Sequence, residues 1–76
     1  MSKMVIHDWT ESEVLLTQEE VRSVKYRVYR ENERHFQEVC TADGEHLHTL
    51  ELPEGMRLDR PSFEVLLRYV VADVAA

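Results

Sequence analysis

The 76-residue sequence has one cysteine, two glycines, two prolines and no long apolar run. Each scarcity removes a class of protein. Cys40 has no second thiol for an internal disulfide, so the chain lacks the staple of small secreted folds and reads as cytoplasmic. With Gly44 and Gly55 as the only glycines, no glycine-rich loop exists to cradle a phosphate on successive backbone N–H groups. Met4-Val5-Ile6 and Val14-Leu15-Leu16 fall short of the ~20 apolar residues that cross a bilayer and of the ~7–15 in a secretory leader. No lipid-attachment signal stands at either end, and no membrane partner is expected. Positive charge is also scarce: 9 Lys and Arg face 15 Asp and Glu, a net −6. A field of that sign opposes phosphate contacts, so direct nucleic-acid binding is not the first expectation. A chain this short buries only about 60% of its unfolded surface, which argues against a deep catalytic cleft or a cofactor. No enzyme and no cofactor are expected.

What is present points to a single α+β domain over 1–76, an antiparallel meander of three to five strands packed by a C-terminal helix. Val24-Lys25-Tyr26-Arg27-Val28-Tyr29-Arg30 alternates apolar with basic residues and is rich in β-branched and aromatic types. Arg34 to Thr41 and His46 to Leu52 give two more strands, so 23–52 reads as the meander. Asn32-Glu33 is one turn, and Asp43-Gly44 carries the signature of a two-residue hairpin. With those turns Arg27 faces Glu38, Tyr29 faces Phe36, Glu38 faces Thr49, Cys40 faces Leu47 and Ala42 faces Glu45. One face then carries Val24, Tyr26, Val28, Val39, Leu50 and Leu52. The other carries Lys25, Arg27, Tyr29, Phe36, Cys40 and Leu47. A one-residue slip of the first hairpin gives an equally apolar set, and the Arg27–Glu38 pair favours the first register.

Over 60–75 the pattern is helical. Asp59 is a good N-cap and Pro61 suits a first turn. Phe63, Leu66, Leu67, Val70, Val71 and Val74 follow the spacing of one helical face, and Glu64 can pair with Arg68. The first 22 residues are ambiguous. Thr10-x-x-Glu13 and Thr17-x-x-Glu20 match capping boxes, while Met4 to Trp9 and Glu13 to Thr17 also suit short strands. Val21, Val24 and Val28 offer a helical rival to the first meander strand, against the β preference of valine and tyrosine.

Charge is laid down in blocks. Residues 1–20 sum to −4, residues 21–36 to +3, and residues 37–56 to −5 with no base at all. Neighbouring strands neutralise part of this, and the remaining carboxylates must face solvent or a cationic partner. Glu11, Glu13, Glu19, Glu20, Asp43, Glu45, Glu51 and Glu54 are the candidate partner-binding surface. In size, acidity and lack of a catalytic motif the chain resembles phage or mobile-element antagonists of host defence, including anti-CRISPR inhibitors. That resemblance, carried by size and charge alone, implies a protein partner whose basic nucleic-acid-binding site is blocked.

Two further surfaces stand out. Lys25, Arg27, Tyr29 and Phe36 share a face like that of a platform for single-stranded nucleic acid, with Glu38 and Glu51 against them; aromatic and charged cross-strand pairs are the plainer explanation. Val65, Tyr69, Ala72 and Ala76 form a second apolar side of the helix, which the N-terminal segment with Trp9 and Leu15 could cover. Left bare, Val65, Tyr69 and Ala72 predict a homodimer. The histidines make a weak metal case: His46 and His48 share a strand face with Cys40 on the other, and two ligands fall short of a zinc site.

Overall fold

The structure is a computed structural model describing residues 3–15 and 18–75, with side chains described as far as residue 71. Strands β1 (Met4–Leu15), β2 (Val21–Glu31), β3 (Arg34–Thr41) and β4 (His46–Glu51) precede helix α1 (Arg60–Ala75). The strands form one sheet in the order β1-β2-β3-β4, every neighbour antiparallel. The expected α+β meander is therefore present, with four strands and a C-terminal helix.

The ambiguous N-terminal segment is strand. No helix starts at Thr10, because β1 runs unbroken through it, and Thr17 lies outside the described residues. Residues 21–28 belong to β2 rather than to a helix, so the meander begins before residue 23. The alternation that should announce β1 is broken by register shifts between Val5 and His7 and between His7 and Thr10. Each bulge adds unpaired residues and swaps the faces beyond it.

The β2–β3 register is the expected one, with Arg27 opposite Glu38 and Tyr29 opposite Phe36. Its turn places Asn32 at φ 52° and Glu33 at φ 66°. Two successive left-handed residues make a two-residue turn whose twist matches that of the strands. The Asp43-Gly44 turn is longer than expected. Gly44 N–H donates to Thr41 O at 2.9 Å, and Thr41 N–H donates to Glu45 O at 2.8 Å. Gly44, at φ 96°, ends a three-residue loop over Ala42-Asp43-Gly44, a geometry that Asp-Gly serves equally well. Thr41, not Ala42, therefore meets Glu45. A bulge between Val39 and Cys40 then sets Cys40 opposite His46 in place of Leu47, while Glu38 keeps Thr49.

The core lies between one sheet face and the helix. Val14, Val24, Tyr26, Val28, Val39 and Leu52 pack with Phe63, Leu67, Val70 and Val71, and Leu47, Leu50, Met56 and Leu66 seal the margin. Each fully buried aliphatic or aromatic side chain contributes roughly 1.5–3 kcal/mol. Gln37 also lies on this face, 0% exposed, with its Nε2 donating to Phe63 O at 3.0 Å. The side chain of Val74 is outside the described residues. Asp59 caps α1: its Oδ1 accepts from Ser62 N–H at 3.0 Å and its carbonyl from Phe63 N–H at 3.1 Å. Those Ser62 bonds hold the Asp59 carboxyl below its ordinary value. Glu64 turns back to Arg60 Nε at 2.9 Å and accepts from Ser12 Oγ at 3.3 Å, tying helix to β1, in place of the expected Arg68 pair.

Candidate interaction surfaces

Connections alternate between the two ends of a meander, and this sorts the candidate carboxylates. The end of β1, residues 18–20 and the 42–45 link lie at one end, and the 32–33 turn and the 52–59 loop at the other. Glu13, Glu19, Glu20, Asp43 and Glu45 therefore gather at one end, with Glu11 two residues further along β1. All six are exposed. Glu20 pairs with Arg22 at 3.6 Å, an exposed contact of little strength. The structure does not bring Glu51 and Glu54 to this group. They sit at the opposite end, where with Glu33, Arg34 and Leu58 they border an open cleft of about 670 Å³. There Glu51 meets Arg34 at 3.4 Å.

The sheet face away from the helix collects Lys25, Arg27, Tyr29 and Phe36 as expected. Arg27 is its centre. Arg27 Nε donates to Glu38 Oε1 at 2.8 Å, and the guanidinium lies 5.0 Å from the Trp9 ring and 5.3 Å from that of Tyr29. Lys25 sits 5.7 Å above Trp9 and Lys3 4.6 Å above Tyr29, while Tyr29 and Phe36 stack at 5.5 Å. Trp9 and Lys3 were not legible as members, because the bulges of β1 erase the spacing that would place them. A base stacks on a bare ring, and here the ring faces already hold cations. The charges are opposed as well, Arg27 by Glu38 and Lys25 by its cross-strand neighbour Glu11.

Trp9 on this face, and Leu15 exposed at the end of β1, leave the outer side of the helix uncovered by them. Val65 is 51% exposed and Tyr69 72%. The side chain of Ala72, and Ala76 entirely, lie outside the described residues.

The bulge in β4 separates the two histidines expected on one strand face. His46 opposes Cys40 and His48 opposes Val39, and adjacent residues of β3 point to opposite faces. Among the described residues no three His, Cys, Asp or Glu side chains are grouped to hold a metal. Cys40 is buried, and burial, then the Glu38 carboxylate, push its thiol up, the reverse of what activates a nucleophile. His7, paired between the two shifts of β1, reaches the core: its ring stacks on Tyr26 at 5.4 Å and tilts against Phe63 at 5.5 Å. The Thr10 hydroxyl donates to Asp8 O at 3.0 Å, so its 2.9 Å contact with His7 Nε2 requires the imidazole to be the donor. Burial, then Glu64, push the Tyr26 phenol up.

No helix of the described residues is long and apolar enough to cross a membrane. No protein-family model matches the chain, and comparison with curated proteins and with solved structures found no match.

Proposed function

We propose that this chain is a protein-interaction module whose acidic end occupies a basic, nucleic-acid-binding surface of another macromolecule, as in the phage-type inhibitors it resembles in size and charge. The observation that carries this reading is the meeting of two connections at one end of the sheet. They bring exposed Glu13, Glu19, Glu20, Asp43 and Glu45 together with Arg22 and Lys25 as the nearby bases. Carboxylates so arranged stand in for phosphates, accelerate encounter and select a cationic partner.

The test is a capture experiment on nuclease-treated host lysate, followed by competition between the captured protein's nucleic acid and this chain. Glu13→Gln, Asp43→Asn and Glu45→Gln together should weaken capture by about tenfold or more and flatten its salt dependence. Glu51→Gln with Glu54→Gln, at the other end, should leave it within about twofold of wild type. Equal capture by all three proteins overturns the reading.

A second reading, nucleic-acid binding by the open sheet face, rests on the gathering of Lys25, Arg27, Tyr29 and Phe36 with Trp9. It requires a labelled single strand to shift at low salt and Arg27→Ala to abolish the shift.

A further inference from the structure

The sheet has two free edges, and they are built differently. β1 carries two bulges together with Asp8, Glu11 and Glu13, devices that discourage pairing with another strand. β4 has no lysine and no proline, and each of its six residues is at least partly exposed. Leu52 N–H donates inward to His35 O at 2.8 Å. Strand alternation then turns the backbone N–H and C=O of Glu51 and Thr49 outward.

The bulge at Leu47 gives this edge a symmetry. Phe36, Glu38 and Cys40 are evenly spaced on the open face of β3, and their partners are Glu51, Thr49 and His46. Those three residues are therefore evenly spaced on the open face of β4, with Thr49 in the middle. A two-fold axis beside Thr49, perpendicular to the sheet, sets Thr49 against the partner's Thr49 and His46 against the partner's Glu51, twice over. An imidazole N–H donor meets a carboxylate in each such pair, while Leu50 meets His48 on the other face. Without the bulge, His46 would fall on the wrong face for this match.

We propose that a second copy of this chain pairs with β4 edge to edge, antiparallel about Thr49, joining two sheets into one of eight strands. Within one chain His46 and Thr49 already share the open face, His46 Nε2 lying 2.7 Å from Thr49 Oγ1. Such an interface is self-complementary, as a two-fold contact must be. The outer side of α1 offers apolar area at Val65 and Tyr69 but no matching of charge. This dimer does not rest on the acidic-end reading above: it uses His46, Thr49 and Glu51, although His46 borders Glu45 at that end.

Sedimentation equilibrium up to millimolar concentration should give a mass twice the 9.0 kDa of the chain. Thr49→Pro removes an outward N–H that the monomer does not use, and should weaken the dimer at least tenfold. Tyr69→Arg should leave the dimer intact. Hydrogen exchange on wild type guards against a misfolded proline variant: the Thr49 and Glu51 amides should gain protection with concentration while the exposed amides of β1 do not. A monomer at every concentration, or a dimer lost in Tyr69→Arg with no protection at Thr49, overturns the proposal.

Discussion

The two faces of this sheet are built from the same strand by different physics. Val24, Tyr26 and Val28 of β2 point to the helix and are fully buried against Phe63, Leu67 and Val71. Lys25, Arg27 and Tyr29, interleaved with them, point away and meet Trp9, Phe36 and Glu38. Apolar area removed from water holds the first face, non-directionally and without regard to salt. Cations on rings and one part-buried ion pair hold the second, each contact modest, directional and screenable. A helix on one side only is enough because the other side makes its own cover: Tyr29 and Cys40 are nearly inaccessible although, among the described residues, no further helix or strand lies over them.

The largest effect should come from the covered face. Leu67 is 0% exposed within the main cluster, so Leu67→Ala removes buried methylenes and leaves a cavity. The loss should be about 3 kcal/mol, within the 2–5 kcal/mol of such truncations, and the same at low and high salt. Urea denaturation at two ionic strengths measures it. A loss under about 1 kcal/mol would mean that the helix is not the sheet's main cover.

An intermediate effect belongs to the open face. Arg27→Ala deletes the Glu38 pair and two ring contacts and should cost about 1–2 kcal/mol. In a double-mutant cycle with Glu38→Gln about half of this should appear as coupling at low salt, and it should shrink at high salt. A salt-independent loss the size of the Leu67 one would erase the contrast between the faces.

This contrast explains what could be read from the sequence. The β2–β3 hairpin was legible because alternation is unbroken there and a single ion pair, Arg27–Glu38, selects between two apolar registers. The helix was legible from Asp59 and the Phe63 stripe. Strand β1 was not, since its bulges shift the period twice within six residues and scatter Val5, His7 and Trp9 onto faces that no spacing rule predicts. The bulge of β4 hid in the same way, and with it the pairing of Cys40 and His46. Asp43-Gly44 misled for another reason: glycine after aspartate serves both a two-residue turn and the three-residue loop found here. Of the acidic surface, composition fixed how much charge there is, and topology alone decided which carboxylates share an end.

The smallest effect sharpens the comparison from Gln37, a fully buried polar side chain on the covered face. Gln37 follows from the register, opposite Val28, yet nothing in its chemistry favours the interior. Its Nε2 gains one bond to Phe63 O, while its Oε1 is buried without a partner among the described residues. A net hydrogen bond contributes about 1 kcal/mol, and an unsatisfied buried acceptor costs about 1–3 kcal/mol. Phe63 O sits in the first turns of α1, where the backbone N–H four residues on serves it whether or not Gln37 is present. Gln37→Met, close in volume and free of the orphan oxygen, should therefore change stability by less than about 1 kcal/mol, with a gain as the favoured sign. Thermal and urea unfolding of that variant decide the matter. A loss above about 2 kcal/mol would show that Oε1 is satisfied by a buried water and that the covered face is held by a polar bond as well as by area.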